Sequence, residues 1–131
     1  MKPHLFNIRV YYEDTDFTGI VFYANYFKFI ERARSDWVRS LNLDQGRLKS
    51  DKGLFFVVRH LEADFLAPAH FDDELLVTTE LERVTRVRIV LLQSIFRDKK
   101  CLFSSLVTLV TLGGSGHPTR LPAEFRLNLG E

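Results

Sequence analysis

Cross-links within the chain are excluded at the outset, because Cys101 is the only cysteine in 131 residues. A single thiol fits a reducing compartment. It also adds nothing to the four histidines (His4, His60, His70, His117), whose positions show no metal-ligand spacing. No metal and no other cofactor is expected. No apolar run reaches the roughly 18 residues of a membrane span. Neither sign of charge dominates: 18 Lys and Arg against 17 Asp and Glu leave a net charge of +1. That balance argues against a nucleic-acid binder, which is usually strongly basic. No Gly-x-Ser-x-Gly elbow is present, so a serine-triad hydrolase is not expected. Gly113-Gly114-Ser115-Gly116 lacks the lysine and helix of a phosphate loop. Met1-Lys2-Pro3-His4 leads straight into strand-like sequence, so no signal peptide is expected and a cytoplasmic location is.

What is present is aromatic and apolar. Hydrophobic residues make up 46% of the chain, with twelve Phe among them. A single domain over residues 1–131 is expected, burying about two-thirds of its unfolded surface. Phe6 to Tyr12 alternates as a strand does. Phe22, Tyr26, Phe29, Ile30, Ala33, Trp37 and Leu41 recur at three- and four-residue spacing, one face of a helix of about five turns. Lys28, Glu31, Arg34, Asp36 and Arg39 fall on the other face, and Asn42 is a suitable stop. Leu43 to Gly53 is polar and irregular, with room for a short helix. Strands are expected over Leu54–Phe65, Glu74–Val84, Arg86–Phe96 and Cys101–Leu112, with Asp98-Lys99-Lys100 as a hairpin turn. Pro122 suits the first position of a short terminal helix, Ala123 to Leu127. The fold class is α+β, one antiparallel sheet with one long helix. Val87–Leu92 and Leu106–Leu112 are apolar on both faces, which a sheet with one wet face should not be.

One stretch is an odd use of sequence for a connector: Tyr12-Glu13-Asp14-Thr15-Asp16, then Gly19, then Asn25-Tyr26. Three acids fall within four residues, followed by a glycine and a helix start. A carboxylate is thereby placed near a helix N-terminus, where backbone N–H groups are unpaired. A carboxylate beside donors is the minimum equipment for attacking a carbonyl while stabilising its oxygen. Read alone, a loop Asp is more often a turn former or helix cap. Asp14 shares a face with Asp16 at spacing two, and holding the loop by a hydrogen bond is its favoured role. Arg86 and Arg88, at the same spacing, are read as one strand face.

Val10-Tyr11-Tyr12-Glu13-Asp14-Thr15-Asp16, Gly19-Ile20-Val21, Ala24-Asn25-Tyr26 and Phe29-Ile30-Glu31-Arg32-Ala33-Arg34 resemble the signature of hotdog-fold acyl-CoA thioesterases. The nearest branch is the YbgC-like group, associated with the Tol-Pal system and related to 4-hydroxybenzoyl-CoA thioesterase. The resemblance continues through Phe56-Val57-Val58-Arg59 and Ala67-Pro68-Ala69 to Asp72-Asp73. It implies a hotdog fold, a sheet wrapped around the long helix. It also implies a homo-oligomer, dimer or tetramer, which accounts for the doubly apolar strands.

By the same resemblance Asp16 is the catalytic carboxylate, acting as general base or as nucleophile. Gly19 and the backbone N–H of Tyr23 form the oxyanion element. Many YbgC-like chains carry His at the Tyr23 position, so a histidine-assisted mechanism is in doubt while a backbone donor is not. Asn25 and Tyr26 follow the pattern as substrate-binding candidates, with Asn25 either capping the helix or fixing the loop. Arg86 and Arg88 match the region where related enzymes bind the phosphates of CoA; the plain reading is a charged strand edge. Glu31 is expected to pair at a subunit interface. The implied partner is an acyl-CoA, with an acyl carrier protein as the other thioester donor. A hotdog dehydratase is disfavoured, since no histidine lies between Tyr12 and Leu41. The competing class is a non-catalytic acyl-thioester binding or scaffolding module of the cell-envelope machinery. Acyl length and aromatic preference are not legible.

Overall fold

A computed structural model describes residues 2–41, 46, 53–123, 126 and 129. The elements are strand β1 (His4–Arg9), helix α1 (Asn25–Ser40) and strands β2 (Phe55–Phe65), β3 (Glu74–Val84), β4 (Arg88–Arg97) and β5 (Lys100–Leu112). The strands form one antiparallel sheet in the order β1-β3-β4-β5-β2. Asp98, at φ 54°, makes the tight turn between β4 and β5, where Arg97 pairs with Lys100. The expected stop at Asn42 and residues 43–45 and 47–52 lie outside the described residues, while Gly46 between them is helical. Most of the expected terminal helix also lies outside the described residues; of it, Ala123 and Arg126 are helical.

The helix lies across one face of the sheet because its apolar stripe has nowhere else to go. Tyr26, Phe29, Ile30, Ala33 and Trp37 are all buried, as the three-four spacing requires. They meet Leu75 and Val77 of β3, Ile89, Leu91 and Ile95 of β4, and Phe103 and Val107 of β5. Each strand offers every second residue to this core. One polar cluster is buried among them. Gln93 donates through Nε2 to the Ile30 carbonyl (3.0 Å) and to Thr79 Oγ1 (2.9 Å), and accepts from Arg34 Nη1 (3.0 Å). Gln93 thus ties helix to sheet, and Arg34 leaves the solvated face on which the pattern put it.

Three boundaries differ from the sequence reading, each for a local reason. β1 stops at Arg9, because Tyr12–Asp14 folds into a 3₁₀ turn instead of continuing the alternation. The helix begins at Asn25, and Phe22, read as its first apolar residue, is 47% exposed in the preceding loop. β4 begins at Arg88. Arg86 lies in the β3–β4 turn, where its carbonyl accepts from Leu121 N–H, so Arg86 and Arg88 do not share a strand face.

Candidate active site

Two loops meet at one end of the sheet and make the site. The acidic loop, residues 10–24, links β1 to α1; the 66–73 loop links β2 to β3. Asp14 organises the first from within. It is 7% exposed, and its Oδ2 accepts the Tyr11 N–H at 2.8 Å. Its carbonyl accepts from Phe22 N–H (3.0 Å) and from the Asn25 side-chain amide (2.8 Å). Asp14 therefore plays the loop-holding part its spacing suggested. Asn25 does not cap the helix: Ala24 is the cap residue, with no side-chain hydrogen bond. The buried Asn25 amide instead fixes the loop.

Asp16 points the other way. Its Oδ1 accepts from the Thr18 N–H (2.8 Å) and the Thr18 hydroxyl (2.6 Å), a local turn closed by a side chain. The Thr18 hydroxyl first, and then its N–H, hold the Asp16 carboxyl below the usual carboxylate range. The backbone N–H groups of Ile20 and of Asp16 itself act on the carboxyl in the same direction, less strongly. The backbone closes the turn from both sides, with Asp16 N–H on the Ile20 carbonyl (2.9 Å) and Gly19 N–H on the Asp16 carbonyl (3.1 Å). Gly19 has φ 85°, a left-handed conformation that a side chain would strain.

The helix entry supplies donors. Asn25, Tyr26 and Phe27 N–H groups are used on the carbonyls of Phe22, Tyr23 and Ala24. Among the described residues, the N–H groups of Tyr23 and Ala24 have no acceptor. The Tyr23 ring is 60% exposed and meets the ring of Phe65 edge-on at 6.0 Å. Tyr26 is different. It is 4% exposed, stacks on Phe103, and its hydroxyl accepts the Ala69 N–H at 3.0 Å; burial pushes its phenol up. Asn25 and Tyr26, both read as substrate-binding candidates, are thus buried scaffold residues in this chain.

The 66–73 loop was not singled out as part of the site, yet it backs it. Val21 N–H donates to the Ala69 carbonyl (2.9 Å) and Phe71 N–H to the Gly19 carbonyl (3.0 Å). The Phe71 ring stacks on Tyr12 at 4.2 Å. Thr18 was also missed, although Asp16-Phe17-Thr18 carries the signal of a side-chain-closed turn.

Arg86 and Arg88 are at the opposite end of the sheet. The ten residues of β4 separate them from the Asp16 end by about 30 Å. Asp16 lies on open surface in the single chain, with Phe17, Tyr12 and Tyr23 exposed around it. A groove of about 150 Å³ runs between α1 and β2, lined by Glu31, Arg34, Val38, Phe56 and Val58, and does not include Asp16. Among the described residues no group of His, Cys, Asp and Glu could hold a metal. No helix there is long and apolar enough to cross a membrane.

A long helix on one five-stranded antiparallel sheet, with a carboxylate turn and free N–H groups at the helix entry, defines the class: a hotdog-fold thioesterase. The thioesterase superfamily model matches residues 18–102, starting two residues past Asp16. The chain is 38% identical over 122 residues to the acyl-CoA thioesterase YbgC of Haemophilus influenzae, spanning 92% of this chain and 90% of that one. It is 37% identical over 103 residues to the acyl-CoA thioester hydrolase YbgC of Escherichia coli, covering 79% and 76%. A solved probable thioesterase from Bartonella henselae superposes with a TM-score of 0.88 at 36% identity, covering 92% of this chain and all of that one. A 1,4-dihydroxy-2-naphthoyl-CoA thioesterase from Synechocystis shares the fold, with a TM-score of 0.90 at 22% identity over 99% and 97%. The chain belongs to the thioesterase superfamily, in its YbgC branch.

Proposed function

We propose that this chain hydrolyses an acyl-CoA thioester to the free acid and CoA, with Asp16 as the reacting carboxylate. One observation carries the reading. A carboxylate exposed on a turn and held by Thr18 shares a loop with two unpaired N–H groups at a helix entry. As a base, Asp16 takes a proton from water as the water oxygen bonds to the thioester carbon. The carbonyl oxygen gains negative charge and accepts a hydrogen bond donated by the Tyr23 N–H. The C–S bond then breaks, and the thiolate of CoA leaves and takes up a proton. As a nucleophile, an Asp16 oxygen bonds to the thioester carbon, the C–S bond breaks as the thiolate of CoA leaves, and water then cleaves the resulting anhydride to the free acid and the Asp16 carboxylate.

The second half of the reading is a homodimer through β2. This strand is an edge, eleven residues long, with Val58 and Phe65 about half exposed. Antiparallel pairing of two β2 edges sets the start of one strand beside the end of the other. The start, Phe55, pairs with Leu112 of β5, and Val110 of β5 pairs with Arg88. The end, Phe65, touches the Tyr23 ring. Arg88 is then about three strand spacings, roughly 15 Å, from the neighbouring copy's site, half its distance from its own. Phosphates of CoA bound at one Asp16 would meet the cations of the other copy. An acyl carrier protein offers the same thioester without the nucleotide.

Thiol release from a panel of acyl-CoAs tests the reaction. Wild type is expected to release thiol, and Asp16→Asn to lose about two to four powers of ten in kcat with binding retained. Near wild-type turnover in Asp16→Asn would move the role to another carboxylate. No release from any substrate by wild type would favour a binding module.

A further inference from the structure

We propose that Asp73 and Arg97 are positioning residues for the Asp16 turn, acting through the 66–73 loop; the catalytic part of this rests on the reading above. Asp73 Oδ2 accepts from Arg97 Nη1 (2.8 Å) and from the His70 N–H (2.8 Å). The same Nη1 reaches the Pro68 carbonyl at 3.2 Å. One ion pair between the start of β3 and the end of β4 therefore grips the loop at positions 68 and 70. Between them, Ala69 is held by Tyr26, its N–H on the phenol oxygen. Both side chains are mostly enclosed, at 22% and 28% exposure, where an ion pair is less screened than on open surface.

The gripped residues are the ones that brace the turn. Ala69 accepts Val21 N–H, Phe71 donates to the Gly19 carbonyl, and Ile20 bridges His70. These contacts run from Gly19 to Val21, the stretch of chain that leads to Tyr23. Asp73 touches none of the reacting groups. It sets where Gly19 and Val21 sit, and so the relation between the Asp16 carboxylate and the helix-entry donors. A misplacement of about 1 Å in such a relation costs up to about a hundredfold in rate.

The test compares Asp73→Ala, Arg97→Met, the double variant and Arg97→Lys with wild type. Expected is a fall in kcat of about 10- to 100-fold in each single variant, with KM for the acyl-CoA nearly unchanged. The double variant should be no worse than either single, since the two act as a unit. Arg97→Lys should recover most of the rate. Asp36→Asn serves as a control: it removes the charge from the His4–Asp36 contact, which joins β1 to α1 outside the two loops. A loss of kcat in Asp36→Asn equal to that in Asp73→Ala would overturn the proposal in favour of general destabilisation. So would multiplicative single losses, or unchanged kcat in both. A second readout needs no substrate. Hydrogen exchange at the Val21 and Phe71 amides should quicken in Asp73→Ala and Arg97→Met and not in Asp36→Asn. Unchanged exchange sinks the proposal even if wild type proves to hydrolyse nothing.

Discussion

The two ends of the sheet are built on opposite principles. At the Asp16 end, two loops are stitched together by backbone hydrogen bonds, a stacked ring pair and an enclosed ion pair. Charged groups there have specific partners: Asp14 the Tyr11 N–H, Asp16 the Thr18 hydroxyl and Asp73 the Arg97 guanidinium. At the Arg86 end, the exposed Arg86 of the β3–β4 turn and Arg88 at the start of β4 are supported by the Thr85 hydroxyl and by backbone hydrogen bonds. The difference matches what the proposed function asks of each end. Stabilising charge on a reacting carbonyl depends on donors fixed to a fraction of an ångström. Attracting phosphates needs charge of the right sign and little geometry. The stitched end can therefore be damaged by a single neutral substitution, and the loose end only by reversing its charge.

Asp14→Ala gives the largest expected break in that comparison after Asp16→Asn itself. It removes the acceptor of the Tyr11 N–H and the packing of a buried side chain. The expected cost is about 1–3 kcal/mol of stability, measured by denaturant unfolding. A fall in kcat of about tenfold or more should accompany it, because Asn25 and Phe22 both hang on the same turn. Full stability with full kcat would show that the turn does not need its internal carboxylate.

Arg86→Glu with Arg88→Glu probes the loose end. Stability should barely change, since both side chains are exposed. KM for acyl-CoA should rise by about tenfold, while a short thioester without the nucleotide should be hydrolysed as before. Equal changes on the two substrates would return both residues to a charged turn. Sedimentation sharpens the same point, because the 30 Å gap closes only between copies: a folded monomer at micromolar concentration would separate these cations from the site.

How much of this was legible in the sequence depended on which physical signal each residue carries. The helix, the five strands and the β4–β5 turn follow from periodicity and turn chemistry, which are local. The carboxylate was legible because acid, glycine and helix start fall within a few residues. Asn25 read equally as a cap or a loop anchor, since both use the same amide; only the position of the Asp14 carbonyl separates them. Arg86 was misplaced onto a strand, because turn and strand both tolerate an exposed arginine. Asp73 and Arg97 were invisible as a pair. They lie 24 positions apart, and their meeting depends on the register that sets Leu76 opposite Phe96. Ala69 and Phe71 reach the site through backbone atoms, about which side-chain identity says nothing.

Thr18→Val is the smallest expected change and the most selective probe of the stitched end. The Asp16 carboxyl is held below its usual range, with the Thr18 hydroxyl as the largest cause. The anion is the active form for either base or nucleophile. Activity should therefore survive acidification to below the ordinary carboxylate value before protonation removes it. Valine keeps the shape of threonine and the Thr18 N–H bond but deletes the hydroxyl donor. The anion then loses part of its stabilisation, and the carboxyl rises part of the way back. The acid limb of kcat/KM should move to higher pH, while the rate at neutral pH, where both forms are fully ionised, stays close to wild type. An acid limb that does not move would mean that the titrating group is not Asp16. A loss that is equal at every pH would mean that the hydroxyl serves the geometry of the turn and not the charge of its carboxylate.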